Sequence, residues 1–210
     1  MGGEAGAALR PFRLRSKANL NIAGLLLAAG AGSRFGSDKL RHALPHGVAI
    51  AVQAARHLRT QVPVVAVVRP GSDDLSKALR ADGCEVVVCD NAADGMGASL
   101  ACAVRAAGSA DGWLVALGDM PFVRPSSIAA VRSALEGGAT LAAPYFRARR
   151  GHPAGIAARY KQELLSLAGD EGAKALFAQH SGDLLKIPVG DPGVIRDIDR
   201  PEDLAPPLRV

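Results

Sequence analysis

The chain has 210 residues, of which 49% are hydrophobic, 21% charged and only 4% aromatic. That length and balance suit one soluble domain with a substantial aliphatic core, and so few rings exclude stacked bases as a main mode of ligand binding. A net charge of +5 is compatible with polyanionic ligands such as nucleotides, and no apolar run is long enough to span a membrane.

Residues 1–20 gather Arg10, Arg13, Arg15 and Lys17 with no apolar stretch of the signal-peptide kind. They read as a flexible, solvated leader before a single domain over 21–210. "IAGLLLA" (22–28) is a short apolar run, and "VAIAVQAARHL" (48–58) has helical spacing. "VPVVAVV" (62–68) is β-branched and predicts a strand. "SDDLSKALRADG" (72–83) opens with Ser72 at an N-cap and closes at a glycine, the marks of a capped helix. "CEVVVC" (84–89) predicts a strand, "GASLACAVRAAG" (97–108) a helix and "WLVALG" (113–118) a strand. "PSSIAAVRSALEGG" (125–138) starts at Pro and stops at Gly, again a helix, and "TLAAP" (140–144) is a further strand. Beyond residue 150 the pattern loosens. "YKQELLSLA" and "EGAKALFAQ" read as helical, "LLKIPV" (184–189) as a strand and "PEDLA" as the start of a short last helix.

Strand and helix thus alternate from 22 to 144, and the strands are continuously apolar rather than alternating. Burial on both faces follows, which predicts a mostly parallel sheet between two helical layers: an α/β, Rossmann-like three-layer domain. Ligands of such sheets lie at the carboxyl ends of the strands. Cys84, Cys89 and Cys102 are odd in number and form no C-x-x-C pair. They argue against a disulfide scaffold, and Cys84 and Cys89, flanking a strand, read as core residues. The cytoplasm is the expected compartment, with neither nucleic acid nor membrane as a partner.

The stretch Gly30-Ala-Gly-Ser-Arg-Phe-Gly36 follows the first strand. Small residues there let the backbone approach an anion with its N–H groups. A dinucleotide fingerprint would be G-x-G-x-x-G with an acid about twenty residues on, but the third glycine is one place late and "IAVQAARHLRT" holds no acid. The G-x-x-x-x-G-K-[ST] pattern does not match. Arg34 and Lys39, two cations in and just after the loop, suit a triphosphate; a plain strand-to-helix turn remains the structural alternative.

"LAAGAGSRFGSDK" resembles the signature loop of the MobA-like nucleotidyltransferases, L-A-[AG]-G-x-[GS]-x-R-[MF]-G-x-x-K, and most of all that of the molybdenum cofactor cytidylyltransferases. The resemblance implies that Leu27, Ala28, Ala29, Gly30, Gly32 and Arg34 wrap the triphosphate and that Lys39 neutralises charge near the α-phosphate. "GDMPF" (118–122) resembles the segment whose aspartate binds Mg²⁺, which places a metal ligand at Asp119. "DIDRPEDL" (197–204) resembles the closing motif D-x-D-T-P-E-D-L and implies a second metal contact at Asp199, with Asp197 in reserve. "NAADGMGASLACAV" (91–104) resembles a nucleotide-side segment, assigning Gly97 and Ser99 to nucleotide binding at a helix start. "RGHPAGI" and "GDEGAKAL" resemble acceptor-side segments and assign His152 and Lys174 to the acceptor.

Two departures stand out. After Lys39 the chain reads "LRHALPHGVAIAV", with Pro45 displaced and Ala49 where the family has proline, and Arg200 replaces the threonine of the closing motif. The resemblance implies transfer of CMP from CTP to the terminal phosphate of the molybdenum-pterin cofactor, with Mg²⁺ as cofactor and release of pyrophosphate. Arg34, Lys39 and Asp119 would carry the catalysis, without a general base. Guanylyl-transferring relatives read L-A-G-G, so the extra methyl of Ala29 favours the smaller base. A guanylyltransferase, another sugar- or alcohol-phosphate nucleotidyltransferase, and a non-catalytic cofactor chaperone are the alternatives. An apo-molybdoenzyme of the hydroxylase type is the further partner that the resemblance implies.

Overall fold

The computed structural model describes residues 20–30, 38–170 and 172–204. The leader expected over 1–20 lies outside these residues except for Leu20, and so do Gly32 and Arg34. Eight strands form one sheet: β1 (Ile22–Leu27), β2 (Val64–Val68), β3 (Glu85–Val88), β4 (Gly112–Leu117), β5 (Leu141–Phe146), β6 (Arg149–Arg150), β7 (Ala154–Ala157) and β8 (Leu184–Pro188). The spatial order is β3-β2-β1-β4-β7-β5-β6, with β8 also paired to β5. The helices are α1 (Ile50–Arg59), α2 (Asp73–Ala81), α3 (Met96–Ala106), α4 (Pro125–Glu136), α5 (Lys161–Leu165) and α6 (Lys174–Gln179).

β1 lies between β2 and β4, parallel to both, and β3 joins β2 in parallel. The chain therefore builds outward from β1 to β3 and then returns to β1's other side with β4. That reversal of strand order opens a crevice above the carboxyl ends of β1, β2 and β4. The alternating side chains of the central strands fill two cores. Leu26, Val64, Ala66 and Val68 pack on one face with Leu58, Leu75 and Val131 of the helices, while Leu25, Leu27, Val65 and Val67 pack on the other with Leu100 and Val104. Trp113 and Leu114 of β4 divide between the same two cores, both fully buried. Two buried faces are what the unbroken apolar runs of β1, β2 and β4 require.

The structure departs from the sequence reading in four places. β7 runs antiparallel between β4 and β5, a strand within a segment read only for its G-H-P motif. Its sequence, Ala-Gly-Ile-Ala, carries one β-branched residue and so gives little strand signal. β3 is an edge strand with Glu85 and Val88 exposed, although its valines resemble those of a central strand. Ser72 stands at the N-cap of α2 but makes no side-chain capping bond, and the segment Pro201–Leu204 is a 3-10 turn rather than the start of an α-helix. Cys84 and Cys89 are buried free thiols, each pushed up to about 11 by burial, which leaves them protonated and unreactive.

Candidate active site

The site starts where β4 ends. After Leu117 the chain turns at Gly118, whose N–H donates to the carbonyl of Leu27 at 2.9 Å and so holds the turn against the end of β1. Asp119 follows, with its neighbour Met120 buried in the core as an anchor. Lys39 opens the 3-10 turn Lys39–Arg41, and Leu40 beside it is buried, fixing that turn to the same core. The Lys39 stem lies in protein and its ammonium emerges between two carboxylates. Its Nζ donates to Asp119 Oδ2 at 3.0 Å and to Asp199 Oδ1 at 3.2 Å. Burial alone would pull the Lys39 ammonium down; Asp119 and Asp199 together outweigh it and leave its pKa above the ordinary value.

Asp199 comes from the far end of the chain, and the packing of its neighbours places it. Ile198 is fully buried against Leu44, Ile50 and Phe122, and its N–H donates to the carbonyl of Asp119 at 2.9 Å. Asp203 Oδ2 accepts from the backbone N–H groups of Asp199 (3.1 Å) and Arg200 (2.9 Å), curling the motif into its 3-10 turn. Upstream, the buried carboxylate of Asp191 accepts from Gly193 N, Arg124 N and Ser127 Oγ, tying the C-terminal segment to the start of α4. Asp197 stays close to the pair: burial, then the charges of Asp199 and Asp119, push its carboxyl pKa up.

Two carboxylates thus share one ammonium, with the Asp197 carboxyl near them, leaving an excess of negative charge at an oxygen-rich point. Among the described residues, no group of three or more His, Cys, Asp or Glu side chains is arranged to hold a metal alone. Two carboxylates without imidazole or thiolate are a hard donor set. They fit an ion of the Mg²⁺ or Mn²⁺ kind that completes its shell with substrate phosphates and water, and do not fit a closed zinc centre.

Beside this point lies a cleft of about 590 Å³, the size of a nucleotide-scale ligand. Leu27, Ala29 and Gly30 form one wall at the end of β1, and Lys39 and Asp119 close one end. Of the residues the sequence assigned, the structure brings Leu27, Ala29, Gly30, Lys39, Ser99 and Asp119 together around it. Ala28 is buried behind the wall, its N–H donating to Val67 O at 2.8 Å. Gly97 does not line the cleft. Its N–H donates to Gly169 O at 2.7 Å, and a Cβ there would sit 2.8 Å from Ala168 O. Gly97 therefore acts through close packing, letting the 168–170 loop lie on the start of α3 and bringing Asp170 to the cleft.

His152 packs beside the end of β4. Its Nδ1 is 3.4 Å from Val115 O, and the ring lines a small internal void with Leu58 and Met120 rather than the cleft. Burial lowers its pKa, so the imidazole is neutral near pH 7. Lys174 is exposed on α6, outside the cleft lining. Sequence reasoning missed Arg69 and Pro70 after β2, Asp90 after β3, Met96 and Asp170, all of which line the cleft. The signal available for Arg69 and Asp90 was their position: each follows a parallel strand, at the edge where ligands sit.

A family model described as the MobA-like NTP transferase domain matches residues 24–184. No curated protein matches the chain. Among solved structures, Rv0371c from Mycobacterium tuberculosis H37Rv is similar with 26% identity over 88% of this chain and 95% of its own, at a TM-score of 0.75. The same protein in complex with manganese gives 23% identity, 87% and 95% coverage and a TM-score of 0.69. A nucleotidyl transferase from Methanothermobacter gives 26% identity, 89% and 94% coverage and a TM-score of 0.74. A molybdopterin-guanine dinucleotide biosynthesis protein A from Archaeoglobus fulgidus, 19% identical over 88% and 95% of the two chains at a TM-score of 0.63, shares the fold.

Proposed function

Given that the chain belongs to the MobA-like NTP transferase family and is a nucleotidyltransferase, we propose that it transfers CMP from CTP to the terminal phosphate of the molybdenum-pterin cofactor. Pyrophosphate is the second product. The observation that carries the reading is the Lys39 ammonium held between Asp119 and Asp199 at one end of a nucleotide-sized cleft. An acceptor phosphate and a nucleoside triphosphate are both anions, and their approach is opposed by charge. A fixed ammonium at their meeting point lowers that opposition, and alignment within the cleft supplies the in-line geometry.

In this reading Lys39 faces the reacting phosphates and stabilises the charge that gathers on them as the bond to pyrophosphate breaks. Arg34 is proposed to assist from the loop after β1, with Gly30 and Gly32 offering backbone N–H groups. Ser99, on the cleft lining, is proposed to contribute to nucleotide binding. Asp119 and Asp199, with Asp197 behind them, would hold Mg²⁺, which when bound neutralises and orients phosphate oxygens. The manganese in the Rv0371c complex supports a divalent ion on this fold. The acceptor phosphate is ionised near neutral pH, so no side chain needs to remove a proton from it. Lys174 is proposed to face the acceptor side, and His152, whose ring lines an internal void rather than the cleft, to shape that side from behind.

The choice of CTP rests on Ala29, which lines the cleft at the end of β1. Its methyl narrows the space that a purine would need. The pterin acceptor rests on the sequence resemblance, and a neighbour named for molybdopterin-guanine dinucleotide biosynthesis has the same fold. Radiolabel transfer tests the reaction directly. Label from α-³²P CTP should appear in the pterin product, and label from γ-³²P CTP in pyrophosphate. Label from the γ-position in the pterin product would replace nucleotidyl transfer by phosphoryl transfer.

A further inference from the structure

The three cysteines are not equivalent. Cys84 and Cys89 flank β3, and their odd spacing turns them to opposite faces of the sheet, Cys84 into one core and Cys89 into the other. Cys102 lies on α3 and packs against the core that holds Cys89. The Cys89 thiol sits on the helix turn that leads to Cys102. Its Sγ donates to the carbonyl of Ala98 at 3.8 Å, one turn before Cys102, and to Asn91 Oδ1 at 3.3 Å. It is also in hydrogen-bonding contact with the Cys102 thiol. Cys102 is only partly buried, whereas Cys89 is 1% exposed.

The stretch between the two thiols borders the cleft. Residues 90–101 run from the end of β3 to the middle of α3, and Asp90, Ala92, Ala93, Met96 and Ser99 of that stretch line the cleft. A bond between the two sulfurs would close a covalent loop around this wall. It would also take the hydrogen from the Cys89 sulfur, and with it the hydrogen bonds to Asn91 and Ala98.

We propose that Cys89 and Cys102 form a dithiol site that a low-molecular-weight disulfide converts to an intramolecular disulfide, reshaping that wall of the cleft. Burial keeps Cys89 protonated, so the exchange starts at Cys102. The Cys102 thiolate attacks one sulfur of the reagent, forms a mixed disulfide and releases the other half as a thiolate. Cys89 then attacks the Cys102 sulfur, and its proton leaves with the second half of the reagent as a thiol. The two protein sulfurs are oxidised, and the reagent is reduced to two thiols. The consequence for nucleotide rests on the reading of the cleft given above; the bond itself does not.

The test is treatment of the full chain with oxidised glutathione, then alkylation of the remaining thiols and peptide mapping without reductant. Of the three cysteines, Cys89 and Cys102 should be found joined and Cys84 free. Cys89→Ala should stop at the glutathione adduct on Cys102, and Cys102→Ser should take up no glutathione. The oxidised wild type should bind CTP about two- to tenfold more weakly, the scale of one lost hydrogen bond, and recover when dithiothreitol reduces it. A glutathione adduct that persists on Cys102 of the wild type, a bond to Cys84, or three thiols left free overturns the site. Equal CTP binding in the two states, including none in either, overturns its link to the cleft. Failure of the transfer reading shows differently, as a reduced protein that releases no pyrophosphate whatever its thiols do.

Discussion

Lys39 donates to Asp119 at 3.0 Å and to Asp199 at 3.2 Å, joining residues that are 80 and 160 positions away in the chain. One ammonium thus gathers the start, middle and end of the fold at a single point. Asp119→Asn keeps the side chain's shape and removes its charge. Turnover should fall by about 10²–10³ or more, the scale of losing one preorganised electrostatic contact, while the melting midpoint stays within a few degrees. Lys39→Met should reduce turnover on the same scale. A variant of either kind with near wild-type turnover would remove this cluster from the chemistry.

Gly97 makes a packing prediction. Its missing side chain lets the 168–170 loop sit on the start of α3, with Gly97 N donating to Gly169 O at 2.7 Å. Gly97→Ala would push a methyl to 2.8 Å from Ala168 O. The expected cost is about 1–3 kcal/mol, as for other overpacked positions. Because Asp170 lines the cleft from that loop, the KM for nucleotide should rise as well. Denaturant midpoints and KM values together check this.

Ala29 tests base selection. Ala29→Gly opens the cleft wall at the end of β1 by one methyl. The preference for CTP over GTP should relax by roughly ten- to two-hundredfold, the range available from a single methylene-sized contact. The ratio of kcat/KM values for the two nucleotides is the measurement, and an unchanged ratio would deny Ala29 this role.

His57 and His152 give stability a pH dependence. Burial is the leading cause that lowers both pKa values below the ordinary histidine value. The unfolded chain then binds protons near pH 6.5 that the folded chain refuses, so stability is full above that pH and falls as pH drops below it. Urea unfolding between pH 7.5 and 5 should show this loss. His57→Gln, in a side chain remote from the cleft, should make the curve shallower.

The central strands were legible because each of β1, β2 and β4 is an apolar run buried on both faces, and that pattern leaves few alternatives to a parallel sheet. β7 was not legible. Ala154-Gly155-Ile156-Ala157 is small because Val131 of α4 packs closely on Gly155, and small residues say little about strands. Lys39, Asp119 and Asp199 could be named from their motifs, but not their meeting, which depends on Ile198 being buried against Leu44, Ile50 and Phe122. Asp191 shows the opposite case. An aspartate in "VGDPG" looks like a turn residue, yet it is 3% exposed and organises the C-terminal segment through three hydrogen bonds. Arg69, Asp90 and Asp170 reach the cleft from three separate loops, and nothing local in their sequences distinguishes a loop that faces a ligand from one that faces water.

The most direct test of nucleotidyl transfer from CTP is pyrophosphate release by the purified protein with Mg²⁺ and the molybdenum-pterin cofactor, comparing CTP with GTP, ATP and UTP. The expected result is release with CTP well above the other three, and none without the cofactor. Release with GTP instead would contradict the assignment of the base, and no release with any nucleotide from a protein that still binds the cofactor would contradict the transfer itself.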